Sequence, residues 1–477
     1  MTSIRAAAPL VMLLLSSCVL GPDHKAPEIT LPAKFAEGGV ASNGDLSQQA
    51  WWTAFRDRRL DGFMKQGLEQ NLSIQEALER INQAEANVVV AGAGALPSLT
   101  LSSQASRSGA EGFRNTPNTS PTTAASGTLD VSWLLDLFGR YKRNKESALA
   151  SLDVAYANVD TARLSLLSSV ASAYIDVRYY QERIALAQQN LKSRRETLDL
   201  TKLQLEAGAA SRLDVVQAEG LVNSTLADIP GFETSFRQAS HRVATLLALP
   251  ASSLVSDLQK GGGQPVARVN PKSGIPADLI RNRPDIRAAE RTLAASVASI
   301  GVAEAELYPS ISLGGSISPG YTRVGGSESG RLSWSFGPAL NLPIFDGGQL
   351  RANLSSAESQ ARGAYLSWKS TVLSAVEEVE NALAAITRDG RTVAALRDTV
   401  RSYEEALSLS TASYRDGASS LLDVLDAQRQ VSSAQANLAA AIQQQAQDYV
   451  TLSVAIGGGY AWGRGPTVLA AANTPKR

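Results

Sequence analysis

The chain has 477 residues, enough for two or three domains and a substantial core, and 45 basic residues balance 45 acidic ones. A net charge of zero supplies no bulk attraction to nucleic acid, so that partner class is excluded. Alanine, serine, leucine, glutamine and arginine are abundant and very long stretches lack proline, which favours long helices.

The first residues read as an export signal. Arg5 is followed by an apolar run at 6–15 and then by Leu15-Ser16-Ser17-Cys18, too short and wrongly flanked for a spanning helix. A small-residue site ending in cysteine resembles the bacterial lipoprotein box, in which the thiol receives a lipid and becomes the first mature residue. Cys18 is the only cysteine, so it has no partner for an intramolecular disulfide, and lipid attachment explains its position. Val19 and Leu20 lack the aspartate that holds lipoproteins in the inner membrane, which points to the outer one. Residues 1–17 are thus expected to be a signal peptide, and 18–50 a lipidated tether whose Pro/Gly-rich part lies extended on the surface.

No window after residue 20 is an apolar run long enough to cross a bilayer as a helix, so any further insertion must use strands. Trp51-Trp52 and Phe55 open a helical pattern, and the paired tryptophans read as a core anchor or as a membrane-interface feature. Asn71-Leu72-Ser73 punctuates that pattern, and residues 74–90 resume it with Leu78, Ile81 and Ala84 on one face. At Pro97 the period changes to two. Leu99 and Leu101 alternate with small or polar residues, and after a Gly/Pro/Thr-rich loop Leu129, Val131, Trp133 and Leu135 do the same. The signature returns with Ile311, Leu313 and Ile317, then Leu332, Trp334 and Phe336. Strands of about ten residues with this alternation suit a membrane barrel, apolar toward lipid and polar toward a lumen. The alternative is a pair of soluble hairpins packed on a helical body.

A very long helical pattern follows each hairpin, and proline is absent from residues 122–229 and 344–465. Val170, Tyr174, Val177, Ile184, Leu191, Leu198 and Leu205 form a seam of mean spacing 3.5, the coiled-coil signal. Val376, Val379, Leu383, Ile386, Val393, Leu396, Val400, Tyr403, Leu407 and Tyr414 repeat it, with a phase slip near Gly390. Each pattern runs for about 100 Å of helix before a glycine, Gly208 or Gly417, and a shorter helix returns from there. Pro230-Gly231 should bend the first return helix. At the second joint Asp423 and Asp426 stand three residues apart, on one helical face, and Asp214 corresponds to Asp423 at the first.

Hairpin, long helix, joint and return helix therefore occur twice. Pro97 matches Pro309, Phe138 matches Phe345 and Gly208 matches Gly417, which marks a tandem duplication. The first repeat is assigned to 51–250, with its β-hairpin at 97–136 and helical hairpin at 139–249. A linker at 251–282 leads to the second repeat at 283–460, with β-hairpin 309–343 and helical hairpin 347–456, and residues 461–477 form a flexible tail. Four strands cannot close a barrel, and open edges are not tolerated in lipid. If the hairpins enter a membrane, several chains must pool strands.

The ordered set Trp51-Trp52, Asp136-Leu137-Phe138-Gly139-Arg140, Arg283-Pro284-Asp285-Ile286, Tyr308-Pro309, Pro343-Ile344-Phe345-Asp346-Gly347-Gly348 and Leu422-Asp423-Val424-Leu425-Asp426 resembles the TolC/OprM-type outer-membrane factors. The likeness is closest to the lipoprotein branch serving RND-type pumps. It implies a mainly helical homotrimer: four strands per chain in a twelve-stranded outer-membrane β-barrel, continued by a coiled-coil barrel through the periplasm. The duct would passively conduct cargo delivered by a periplasmic adaptor and an inner-membrane RND pump. The resemblance further implies that Asp423 and Asp426 line the periplasmic aperture, that Asp214 ties the coiled coils, that Tyr414 joins this network, and that Leu422 is an apolar plug. Ser413 and Ser419 stand where relatives carry arginines, so no particular salt bridge is carried over. Acids gathered near a pore axis would attract cations and raise one another's pKa; acids merely near a helix start are favoured by the dipole alone. His24 and His241 are the only histidines, and no nucleophile, phosphate-loop or metal-ligand pattern occurs, so neither an enzyme nor a cofactor beyond the lipid on Cys18 is expected. A periplasmic adaptor lipoprotein or a structural coiled-coil lipoprotein are the alternatives.

Overall fold

The computed structural model describes residues 19–28, 35, 50–111, 114, 119–267 and 283–458. Cys18, the signal segment, residues 268–282 of the linker and the tail at 461–477 lie outside them. A 3-10 turn at Trp51–Phe55 precedes α1 (Arg58–Gln70) and α2 (Leu72–Ala93), and β1 (Ser98–Ser108) and β2 (Thr122–Leu135) follow. Next come α3 (Arg140–Glu206), α4 (Arg212–Leu246) and the one-turn α5 (Val255–Leu258), a helix within the stretch read as plain linker. The second half comprises α6 (Pro284–Ala305), β3 (Ser310–Val324), β4 (Ser327–Asn341), α7 (Gln349–Arg415) and α8 (Leu421–Ala455).

The duplication holds to the residue in the helices. α2 and α6 each have 22 residues, α3 and α7 each have 67, and α4 and α8 each have 35. Pro230 does not end α4, which runs through it. The carbonyl that loses its N–H partner belongs to Leu226, an exposed residue. Gly390 likewise lies within an unbroken α7.

The chain divides into two compact units. Among the described residues, the first lies within 1–28, 79–156 and 287–370, and the second within 29–78, 157–286 and 371–477. In the first, the four strands form one antiparallel sheet in the order β1-β2-β3-β4, so the central pair joins the two halves. The start of the tether is docked on this unit. Leu20 N–H donates to the Phe138 carbonyl at 3.2 Å, and the buried Arg143 donates to the carbonyls of Leu20 and Gly21, each at 2.9 Å, and to Asp23 at 2.8 Å. Gly21 has φ +83°, and a Cβ there would stand 2.4 Å from the Gly301 backbone, so only glycine fits. His24 closes the strap against Glu290 at 2.5 Å.

In the second unit Trp51, Phe55 and Met64 pack with Leu167, Val170, Tyr174 and Val177 of α3, with Phe236 and Val243 of α4, and with Val450 of α8. Trp51 is therefore a core anchor, and the 3-4-3 spacing of the α3 residues is its coiled-coil seam. Asp57 caps α1 by accepting from the N–H groups of Arg59 and Leu60. It also accepts from the Tyr174 hydroxyl, which the Arg178 guanidinium approaches at 2.7 Å. Burial and the neighbouring Asp57 push the Tyr174 hydroxyl well above its ordinary pKa, which keeps it a donor.

Candidate functional site

Two constructions carry chemistry: the sheet and the pair of helix joints. Paired residues in an antiparallel sheet share a face, so the register sorts the side chains. Leu99 pairs with Val131, Val131 with Gly315 and Gly315 with Phe336. Leu101, Leu129, Ile317 and Trp334 form the next row toward the strand tips, and Trp133, Leu313 and Pro338 a row on the other side. All these residues lie on one face. The opposite face presents Thr100, Asp130, Ser316 and Ser335 in one row and Ser98, Ser132, Gly314 and Gly337 in another. The apolar face is open: Trp334 is 77% exposed and Phe336 is 79% exposed. Trp133 is 38% exposed, and its indole N–H donates to the Ala95 carbonyl at 2.9 Å. From the Ile311 row to the Pro319 row the apolar band extends about 26 Å along the strand, the height of a lipid-facing band. Beyond it Tyr321 and the Arg323–Glu328 pair, 3.6 Å apart, occupy the same face. Among the described residues no helix is long and apolar enough to cross a membrane.

The two joints are built alike. Gly208 adopts φ +74° and Gly417 φ +76°, the left-handed geometry that ends a helix and turns the chain. Ala209 and Ala418 N–H then donate back to the carbonyls of Gln204 and Ser413, each at 2.7 Å. Ser211 and Ser420 start the return helices as N-caps, each completing a capping box with the aspartate three residues on. Asp214 accepts from Ser211 N–H at 2.8 Å, and Asp423 accepts from Ser420 N–H at 3.0 Å. Both carboxylates are thus engaged at their own helix starts. Asp426 is exposed and pairs with Arg429 at 3.2 Å. Leu422 is 58% exposed and its counterpart in the first joint, Leu213, is 65% exposed, so apolar side chains project from both tips.

The structure brings the joints of one chain together. Leu191, Leu198, Val215 and Val222 share a core cluster with Tyr414, Leu421, Val424 and Leu425. Tyr414 is buried there, and its hydroxyl donates to Thr201 Oγ1 at 3.2 Å. Three further rungs tie α3 to α8. Gln428 donates to Thr197 at 2.8 Å, Arg194 to Ser432 at 2.9 Å and Asn190 to Gln435 at 3.3 Å. Polar residues inside a coiled-coil seam gave no period-based signal. The S-x-x-D spacing at 211–214 and 420–423 did carry the capping signal.

Comparison with known proteins agrees with this architecture. The family described as outer membrane efflux protein matches residues 64–249 and 275–458, one stretch per half. Nodulation protein T of Rhizobium leguminosarum bv. viciae is 58% identical over 463 residues, covering 97% of this chain and 95% of that protein. Outer membrane protein OprJ of Pseudomonas aeruginosa is 32% identical, with 96% of each chain covered. The solved outer-membrane channel OprN superposes with a TM-score of 0.82 at 32% identity, over 93% of this chain and 99% of that one. Strands that read as membrane-facing, duplicated halves and full-length matches converge on one statement: this chain is an outer-membrane channel protein belonging to the outer membrane efflux protein family.

Proposed function

We propose that three copies of this chain pool twelve strands into one barrel and form the passive exit duct of a tripartite pump. The observation that carries the reading is the sheet. It has one apolar face, one face of serine, threonine and glycine, and unpaired outer edges on β1 and β4. Lipid contact demands that those edges be paired, and other copies of the same chain supply the complementary edge. Exposed Leu149 on α3 and Leu366 and Leu373 on α7 support helix contacts between copies. Energy comes from an inner-membrane RND-type pump through a periplasmic adaptor, and a lipid on Cys18 adds an anchor. Two tandem helical hairpins with intervening strands argue against the chain being the adaptor itself. Relatives are described as antibiotic efflux and pyoverdine export proteins, and small-molecule export is the corresponding reading here.

The second-half joint is the proposed aperture. Asp426, paired with Arg429 of its own helix, and Leu422 are exposed at the tip, Asp423 lies one turn from Asp426, and the Tyr414–Thr201 bond joins α7 to α3. Asp423→Ala also removes a cap, so Asp426→Ala is the cleaner probe. Single-channel recording in planar bilayers should show higher conductance and weaker cation preference for Asp426→Ala. Unchanged conductance and selectivity would argue against an acidic aperture.

A further inference from the structure

The two halves correspond by constant shifts along the chain. α2 starts at Leu72 and α6 at Pro284, a shift of 212 residues; α3 starts at Arg140 and α7 at Gln349, a shift of 209. The sheet obeys the same two shifts: Ser98 opposite Ser132 in the first hairpin becomes Ser310 opposite Asn341 in the second. Within the first unit α3 touches a helix of each half. Tyr156 donates to Glu85 of α2 at 3.2 Å. Toward α6, Ser147 donates to the Ala295 carbonyl at 3.0 Å, its hydroxyl lies 3.3 Å from that of Ser299, and Asp153 pairs with Arg291 at 3.7 Å. This α3–α6 contact joins the halves, as β2 and β3 do in the sheet. α3 and the strap cover α6, and α2 lacks such cover. Over 291–305 one residue of fifteen is exposed, Thr292, whereas over the matching 79–93 ten of fifteen are.

Carrying the α3–α6 contact through those shifts turns it into a contact between α7 and α2. Asp153 becomes Arg362 and Arg291 becomes Glu79, so both members of the ion pair change sign and the pair stays complementary. Ser147 becomes Ser356 and Ser299 becomes Asn87, again two groups able to hydrogen-bond. All four of these residues are exposed. In one chain Arg362 pairs with Glu358 of its own helix at 3.6 Å, and Glu79 accepts from Asn82 at 2.9 Å. Such local surface contacts are weak and leave both side chains able to turn to a stronger partner. From the matched charges and the uncovered face we infer that α2, at Glu79 and Asn87, docks α7 of a neighbouring copy of this chain, with Glu79 and Arg362 paired across the contact. Like charges at these positions would repel such a contact, and the complementary pair fixes its register. The inference rests on the pooling of strands proposed above, which sets β4 of one copy beside β1 of the next as β2 stands beside β3. It adds which helices meet and through which residues.

The test uses the full-length protein in detergent, where Cys18 is the only native cysteine and introduced thiol pairs are easily traced. Under mild oxidation Asn87→Cys combined with Ser356→Cys should link chains covalently, read as multiples of the chain mass on a non-reducing gel. Neither single variant should do so. Ser147→Cys combined with Ser299→Cys should close within one chain and give no multiples. Native mass spectrometry of the same samples separates the two claims. Intact oligomers without the 87–356 link would overturn the docking and leave strand pooling standing; monomers would overturn both. Charge reversal tests the ion pair. Glu79→Arg and Arg362→Glu should each weaken assembly by about two- to fivefold per contact, the range of an exposed pair, read from the assembled fraction on dilution. The double reversal should recover most of that loss. Additive losses in the double variant would overturn the pairing.

Discussion

At the residue scale, the acids of the joints do structural work before any functional one. Asp214 and Asp423 each close a capping box, so truncating the cap serine isolates that role from charge. Ser420→Ala should cost about 1 kcal/mol, read as a lower denaturation midpoint, while leaving the charge at Asp423 in place. A different acid offers a pH test. Burial first, and then the neighbouring Asp448, push the Asp389 carboxyl up to about 6 from its usual value near 3.8. Gln444 of the same helix donates to Asp448 at 2.9 Å and fixes it there. The folded state thus holds a proton that the unfolded chain has released, so stability falls as pH rises from about 4 through 6. Asp389→Asn should flatten that slope and gain about 1 kcal/mol at pH 7.5, after discounting the shift for partial exposure. A melting curve whose pH dependence is unchanged in the variant would remove Asp389 from the account. The seam residues were legible in the sequence because they obey a local spacing rule; the capping serines obey one too, S-x-x-D, but were not singled out by it. Thr201, Thr197 and Arg194 were not legible, because their partners lie about two hundred or more positions away along the chain, or on a return helix whose phase no local rule sets.

At the element scale, period-two alternation identified all four strands and which residues share a face. The register then aligned those faces into one apolar band, and that step depended on β2 pairing with β3 across the duplication. A charge on either face discriminates the two environments. Trp334→Arg should cost about 2–4 kcal/mol in a bilayer-embedded barrel and lower the yield of assembled protein. Ser335→Arg, one residue on and facing the other way, should assemble normally and alter conductance. Gly208 and Gly417 can be tested in the same spirit. Nothing stands within 4 Å of a Cβ at either position, so alanine meets strain only from its positive φ, and each variant should lose about 1 kcal/mol. α4 continues through Pro230, where the Leu226 carbonyl loses its N–H partner.

At the scale of the whole molecule, the pattern of incompleteness is the informative feature. One chain leaves two sheet edges open, a lipid-sized apolar face uncovered and leucines exposed on α3 and α7. The need for several copies was legible from strand number alone, because four strands cannot close. The number of copies was not, since eight strands and twelve both close, and three enters only through resemblance to known channels. The most direct measurement is therefore native mass spectrometry of the full-length protein released from detergent micelles. Three chains per particle is the predicted result, and the assembly should be lost when β1 and β4 edge residues are replaced by proline. A stable monomer, or a closed assembly of two chains, would contradict the account.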